Sequence, residues 1–260
     1  MRADVFLYEK GYCESRTKAA AACKEGRLFV NGKNITKSSF EINEGDEIEL
    51  KEGGLRYVGR GGLKMEGAIN AFGLEVCGKT CVDIGASTGG FTDCLLQNGA
   101  KKVYAVDCGS GQLHPSLLKD EKVVNIENFN ARELDAETLG EKCDLAVMDV
   151  SFISQTLIHG AVRRVLKDGG QFITLIKPQF EAGKSALGKG GIVKDEKARK
   201  NACKAVILSA EGVGFVLKGL TLSPISGGDG NVEYLALFVL SENEKGIDAE
   251  VAIKAASLKY

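Results

Sequence analysis

Residues 63–245 of this 260-residue chain predict a doubly wound α/β domain, a seven-stranded sheet with helices on both faces. Three observations predict it. "TCVDIGASTGGFTDCLLQNG" (80–99) reads as a buried strand, a tight glycine turn and an amphipathic helix. Apolar strands follow at "KKVYAVD", "KVVNI", "DLAVMD", "QFITLI", "FVLKGLTL" and "YLALFVL", the earlier ones separated by helical stretches. The last two are joined by the glycine-rich "SPISGGDGN" and no helix, so the final strand should run antiparallel. The whole is Rossmann-like.

Residues 1–50 read as a separate small α+β unit. Ala3–Lys10 is a short amphipathic helix, and Ser15 caps a second helix through "RTKAAAACKE" that Gly26 ends. The strand "LFV" leads into Asn31-Gly32, a strong hairpin signal. Phe40 and Ile42 alternate, Gly45-Asp46 turns, and "EIEL" closes with period-2 alternation. "KEGGLRYVGRGGLK" (51–64) holds five glycines in fourteen residues, so 51–62 reads as a linker. Arg56, Tyr57 and Arg60 are unusual in a spacer, and suit either RNA contact or packing. Residues 246–260 read as a C-terminal tail.

Composition narrows the function classes. A net charge of −1 announces no global polycation, so any nucleic-acid signal must be local. No stretch approaches 18 apolar residues, and the start lacks a signal-peptide run, so no membrane partner is expected. The eight cysteines form no C-x-x-C, and only two histidines exist, which predicts reduced thiols, no metal and a cytoplasmic protein. Residues 1–37 carry eight Lys/Arg against four acids, while 38–52 carry six acids against one lysine. A basic helical face suits a phosphate backbone; an ordinary solvated helix accounts for the same counts. Here the segment resembles the RNA-binding module first seen in a small-subunit ribosomal protein, the S-four fold. The likeness lies in Arg2 and Asp4, Ser15-Arg16, Val30-Asn31-Gly32 and Gly45-Asp46. It implies that the second helix and hairpin meet structured RNA through Arg16, Lys18, Lys24, Arg27 and Lys33.

Two nucleotide-binding patterns overlap at 73–93. Gly73–Thr80 spells the G-x-x-x-x-G-K-T phosphate loop, but that loop must follow a strand and open a helix. Here a helix precedes it and a strand follows, so it is rejected. The glycine turn after "TCVDI" has the right context. It is G-x-x-x-G-G, which disfavours a nicotinamide site, and Asp83 before it is a feature of S-adenosylmethionine (SAM) methyltransferases. SAM should lie over Gly85, Ser87, Gly89, Gly90 and Phe91, with Asp83 near its amino-acid end. Asp107, ending the next strand, should hold the ribose hydroxyls, and Asn130 should reach the adenine.

Four polar residues lie where strand ends would converge: Lys64, Asp149, Lys177 and Glu233. Each alone is equally a cap or a salt-bridge partner. Together they match the Lys-Asp-Lys-Glu tetrad of ribose 2′-O-methyltransferases resembling FtsJ. The flanks "RGGLK", "DIGASTGGFTD", "VDCGSGQLH", "MDVSFIS", "IKPQFEAGK" and "NVEYL" resemble the TlyA family of ribosomal RNA methyltransferases over nearly the whole chain. The resemblance implies SAM-dependent 2′-O-methylation of ribosomal RNA within a ribosomal subunit, at a cytidine. Lys177 would be the base, because an amine is a strong base when neutral whereas a carboxylate is a weak one. Lys64 and Glu233 would orient it and the ribose, and Asp149 would fix Lys177 near the methyl group. The lysine-rich stretch 181–200 reads as a mobile flap touching RNA through Lys184 and Lys189. The competing readings are a non-catalytic RNA-binding protein and a membrane-active haemolysin, the latter lacking a basic amphipathic helix to support it.

Overall fold

In the computed structural model, residues 1–24, 26–51, 56–227 and 230–258 are described. The chain forms two compact units, Met1–Arg60 and Gly61–Tyr260. Of the expected linker, residues 52–55 lie outside the described residues, as do 228–229 of the last loop.

The first unit packs α1 (Ala3–Glu9) and α2 (Arg16–Lys24) on a three-stranded antiparallel sheet. Its strands are β1 (Leu28–Val30), β2 (Lys33–Ile35) and β3 (Ile48–Leu50), in the order β2-β1-β3. Ala3, Leu7, Ala19, Cys23, Leu28, Val30 and Ile42 close a core of their own. The expected alternation at Phe40 and Ile42 forms no strand. That segment instead clasps the chain start, through Ala3 N–H to Phe40 carbonyl (2.7 Å) and Ile42 N–H to Met1 carbonyl (2.7 Å). Buried Asp4 accepts from Arg2 (3.0 Å) and Arg16 (3.1 Å). The Arg2 bond leads in lowering its carboxyl to about 2, against a smaller desolvation.

In the second unit α3 (Gly61–Phe72) precedes β4 (Thr80–Ile84), α4 (Gly90–Gln97), β5 (Lys102–Val106), β6 (Val123–Ile126), α5 (Ala136–Leu139) and β7 (Cys143–Met148). Then come α6 (His159–Val165), β8 (Leu166–Ile176), α7 (Pro178–Glu181), α8 (Glu196–Glu211), β9 (Phe215–Leu222), β10 (Tyr234–Leu240) and α9 (Ala249–Ser257). The seven strands run β6-β5-β4-β7-β8-β10-β9, and β10 is antiparallel to both neighbours. β4 is buried along its length, which is why it reads as a continuous apolar run: helices cover both faces of a parallel sheet. β8 starts earlier than "QFITLI", because a bulge between Cys143 and Leu145 lets Leu166 pair with Cys143. The segment taken as a tail carries α9, capped by Asp248, with Ala252, Ile253 and Ala256 buried in the main core. His159 is buried beside Phe172, bonded to Ser209 Oγ at 3.0 Å, and desolvation lowers its pKa to about 4.

Candidate active site

The cleft forms where β4, β5 and β7 end. β4 delivers the chain to Gly85, whose N–H donates to the Val106 carbonyl at 2.8 Å. Gly85 has φ +85°, and a Cβ there would stand 2.8 Å from the Asp149 carbonyl oxygen, so the turn needs glycine on both grounds. At Gly89, φ is +93° and a Cβ would meet Leu117 Cδ1 at 2.2 Å, so the 108–117 loop packs directly on the turn. Ser87 N–H donates to Asp107 Oδ2 (2.8 Å), and Gly109 N–H to Oδ1 (2.7 Å), fixing that carboxylate at the tip of β5.

Two adjoining cavities share Gly85, Ser87, Asp149 and Ser151. The larger, 370 Å³, has walls from Val106, Phe129, Val150, Ile153 and Ile158, with Asp107 and Asn130 at its polar edge. The smaller, 210 Å³, is lined by Gly61, Thr88, Gly90, Phe91 and Lys177 besides the shared residues. An apolar slot with Asp107 at its edge, meeting a polar chamber at Asp149, fits an adenosine joined to a charged amino-acid tail.

Asp83 departs from expectation. It is fully buried beneath the turn and lines neither cavity. Its Oδ2 accepts from Thr92 N–H (2.9 Å) and Oγ1 (2.7 Å), tying β4 to α4, while Oδ1 has no hydrogen-bond partner. Burial pushes this carboxyl up to about 7 despite the Thr92 bonds. Asn130 lines the cavity, but its side chain is engaged locally with Arg132 N–H (3.2 Å) and Glu133 (3.0 Å).

The four polar residues form two ion pairs. Lys64 Nζ, on α3, lies 2.6 Å from Glu233 Oε2, and both residues are buried. Lys177 Nζ lies 2.6 Å from Asp149 Oδ1, as a charge contact, and directs its hydrogen bond to Ser151 Oγ at 2.7 Å. Pairing of Tyr234 with Ile176 across the antiparallel β10 and β8 sets Glu233 opposite Lys177, so the pairs stand side by side. Buried ion pairs contribute little net stability against their desolvation cost. The Lys177–Asp149 pair lines the cleft itself, which points to chemistry there.

Sequence reasoning missed Ser151 and Phe152. Ser151 carries a signal only in its spacing of two from Asp149. Phe152 is 92% exposed with φ +64°, and its ring lies 5.3 Å from that of Phe180 at the cavity rim. The rejected phosphate loop runs from α3 into β4, at the opposite strand ends from the cleft, and Lys79 bonds Gln171 at 2.7 Å.

Of the candidate RNA contacts, Lys24, Lys33, Lys184 and Lys189 are exposed. Arg16 is held by Asp4, Lys18 pairs with Glu14, and Arg27 Nε donates to the Lys51 carbonyl at 3.0 Å. Arg56 lies over the buried Tyr57 ring at 5.3 Å, and Arg60 closes the first unit. The expected flap over 181–200 is shorter than read. Asp195 caps α8 at Glu196, and Asn231 grips Val193 N–H (3.0 Å) and the Gly191 carbonyl (3.1 Å). Among the described residues no helix is long and apolar enough to cross a membrane.

Comparison with known proteins agrees with this geometry. Residues 57–239 match the FtsJ-like methyltransferase family, and residues 1–48 match the S4 domain. The chain is 44% identical to hemolysin A of Brachyspira hyodysenteriae, over 92% of this chain and all of that one. It is 37% identical to the 16S/23S rRNA (cytidine-2′-O)-methyltransferase TlyA of Mycobacterium tuberculosis, over 96% of this chain and 93% of that one. A solved hemolysin-labelled protein of Streptococcus thermophilus superposes with a TM-score of 0.77 at 40% identity, covering 100% of this chain and 96% of that one. The chain therefore belongs to the FtsJ-like methyltransferase family, joined at its N-terminus to an S4 domain.

Proposed function

We propose that this enzyme transfers a methyl group from SAM to a ribose 2′-hydroxyl of ribosomal RNA, at a cytidine. The observation that carries the reading is Lys177, set between Asp149 and Ser151 where the two cavities join. When bound, SAM would supply a sulfonium methyl electrophile, its methyl–sulfur bond breaking so that it departs as a neutral thioether. Asp107, fixed at the tip of β5, would hold the ribose hydroxyls of that cofactor, and the apolar walls of the larger cavity would take its adenine. Asp83 acts indirectly, holding the turn against α4.

Lys177 in its neutral form takes the 2′-hydroxyl proton as the oxygen attacks, so the amine leaves the step as an ammonium beside Asp149. Ser151 and Asp149 aim Nζ, while the Lys64–Glu233 pair orients the ribose alongside. Phe152 offers an aromatic face at the rim for the base of the target nucleotide, in the way single-stranded RNA bases are stacked. Lys184 and Lys189 on one unit, and Lys24 and Lys33 on the other, supply phosphate contacts. Ribosomal RNA as the partner is supported by the S4 domain and by the named activity of the Mycobacterium relative. A haemolytic reading has the names of relatives behind it, whereas the cleft supports group transfer.

The test is methyl transfer from labelled SAM to isolated ribosomal subunits and free rRNA, followed by mapping of 2′-O-methyl sites. Label on a base, or none on either RNA form, refutes the reading. For the cofactor, Asp107→Ala should weaken SAM binding by about 1–3 kcal/mol, the cost of losing charged hydrogen bonds. Calorimetry giving an unchanged SAM affinity would move the cofactor elsewhere.

A further inference from the structure

Glu181 lies outside the four polar residues, yet it closes a ring around Lys177. It ends α7, the single helical turn that Lys177 caps. Its carboxylate accepts from Ser154 Oγ at 2.6 Å and from Gln155 N–H at 3.0 Å. Those donors end the loop that begins with Asp149 and Ser151, the two residues touching Lys177 Nζ. The loop and α7 are thus tied at both ends, by Lys177 at one and Glu181 at the other. Between the ties, Phe152 rests on Phe180 with a ring separation of 5.3 Å.

The far end of the loop has a rigid base. Gln155 is buried, accepts from Thr174 Oγ1 at 2.5 Å and donates to the Leu175 carbonyl at 3.3 Å, both on β8 just before Lys177. The loop itself is strained: Phe152 holds φ +64°, a left-handed backbone that a bulky residue keeps only when its surroundings impose it. A loop with a strained centre relaxes if one tie is cut. Relaxation would carry Ser151 and Asp149 away from Nζ, and a misplacement of this kind at a reacting group lowers turnover without touching binding.

We propose that Glu181 is a positioning residue for methyl transfer: it locks the 149–155 loop to α7 so that Asp149 and Ser151 keep Lys177 Nζ aimed at the ribose hydroxyl. The proposal rests on the reading of Lys177 given above. It predicts a kcat defect with binding preserved, and a defect that depends on Ser151.

The experiment uses the full-length enzyme, SAM and ribosomal RNA. Glu181→Ala should lower kcat about ten- to a hundredfold, while SAM Kd and the KM for RNA stay within about twofold. Glu181→Gln keeps one acceptor oxygen and should recover part of the loss. In a Ser151→Ala background the Glu181→Ala penalty should shrink below about threefold, because both changes remove the same aim. Wild-type kcat in Glu181→Ala, loss of SAM affinity in step with kcat in both Glu181 variants, or penalties that multiply in the double variant would each overturn the proposal. Lys177→Ala separates the two levels. If that variant turns over normally, the site reading and this proposal fall together; if it is inactive while Glu181→Ala is fully active, only this proposal falls.

Discussion

Lys177→Ala is expected to bind SAM and RNA as the wild type does and to lose about 10²- to 10⁴-fold in the methyl-transfer step, the usual worth of a positioned general base. Single-turnover transfer of labelled methyl, with SAM affinity measured in parallel, reads both quantities. Lys177→Arg should fail nearly as badly. Arginine keeps the charge beside Asp149 but does not give up a proton at working pH, and so separates proton abstraction from charge stabilisation. Substantial turnover by the arginine variant would make Lys177 an electrostatic group and send the search for the base to Lys64.

Removing residues 1–50 should leave SAM binding intact and reduce methylation of ribosomal RNA by more than about a hundredfold, since phosphate contacts dominate affinity for nucleic acid. The separate core of Ala3, Leu7, Ala19, Cys23 and Leu28 means that the cut removes a unit and leaves the main core whole. A finer version reverses the charge of Lys24 and Lys33, which are exposed. Arg16 is the poorer choice, because its guanidinium anchors buried Asp4 and its loss would unsettle the unit. The double reversal should weaken RNA binding and lower the salt-dependence slope by roughly 0.7–0.9 per lost phosphate contact. Full activity of the truncated enzyme on ribosomal RNA would make the S4 unit a passenger.

Much of this was legible in the sequence, for a physical reason. β4, β5, β7 and the second half of β8 are buried runs bounded by glycine or charge, and the glycine turn sits between a strand and a helix. That Lys64, Asp149, Lys177 and Glu233 lie near strand ends was legible by resemblance and by position, and they form two ion pairs. What stayed hidden depends on contacts that are remote in sequence. The bonds from Glu181 to Ser154 and from Lys177 to Ser151 span 27 and 26 residues, and no local periodicity encodes them. Asp83 was assigned to the cofactor from its place before the turn, whereas its burial follows from α4 folding back to donate Thr92. Similarly, "DAEVAIKAAS" reads as a tail by its place beyond the last strand, although its apolar positions at Ala252, Ile253 and Ala256 follow helical spacing.

Asp83 and His159 also set how the fold answers acid, and they do so in opposite senses. Asp83 stays protonated in the folded chain up to about pH 7, while an unfolded aspartate ionises near 3.8. Between those values the folded state holds the extra proton, so acidification stabilises it. His159 remains neutral in the fold down to about pH 4, while an unfolded histidine protonates near 6.5. Across that window the unfolded state holds the extra proton, so acidification destabilises the fold. Each slope is about 1.4 kcal/mol per pH unit, and the windows nearly coincide, so the two largely cancel in the intact enzyme. Asp83→Asn removes the aspartate's share and leaves the histidine's: its unfolding free energy, relative to wild type, should fall steadily from about pH 7 to pH 3.8. Denaturant titrations at stepped pH measure this difference, in which the ionisation of surface carboxylates drops out. Parallel pH profiles for the variant and wild type would mean that Asp83 ionises as an ordinary carboxylate. These two buried titrations oppose one another, and a substitution at either residue would tilt the acid response of the fold.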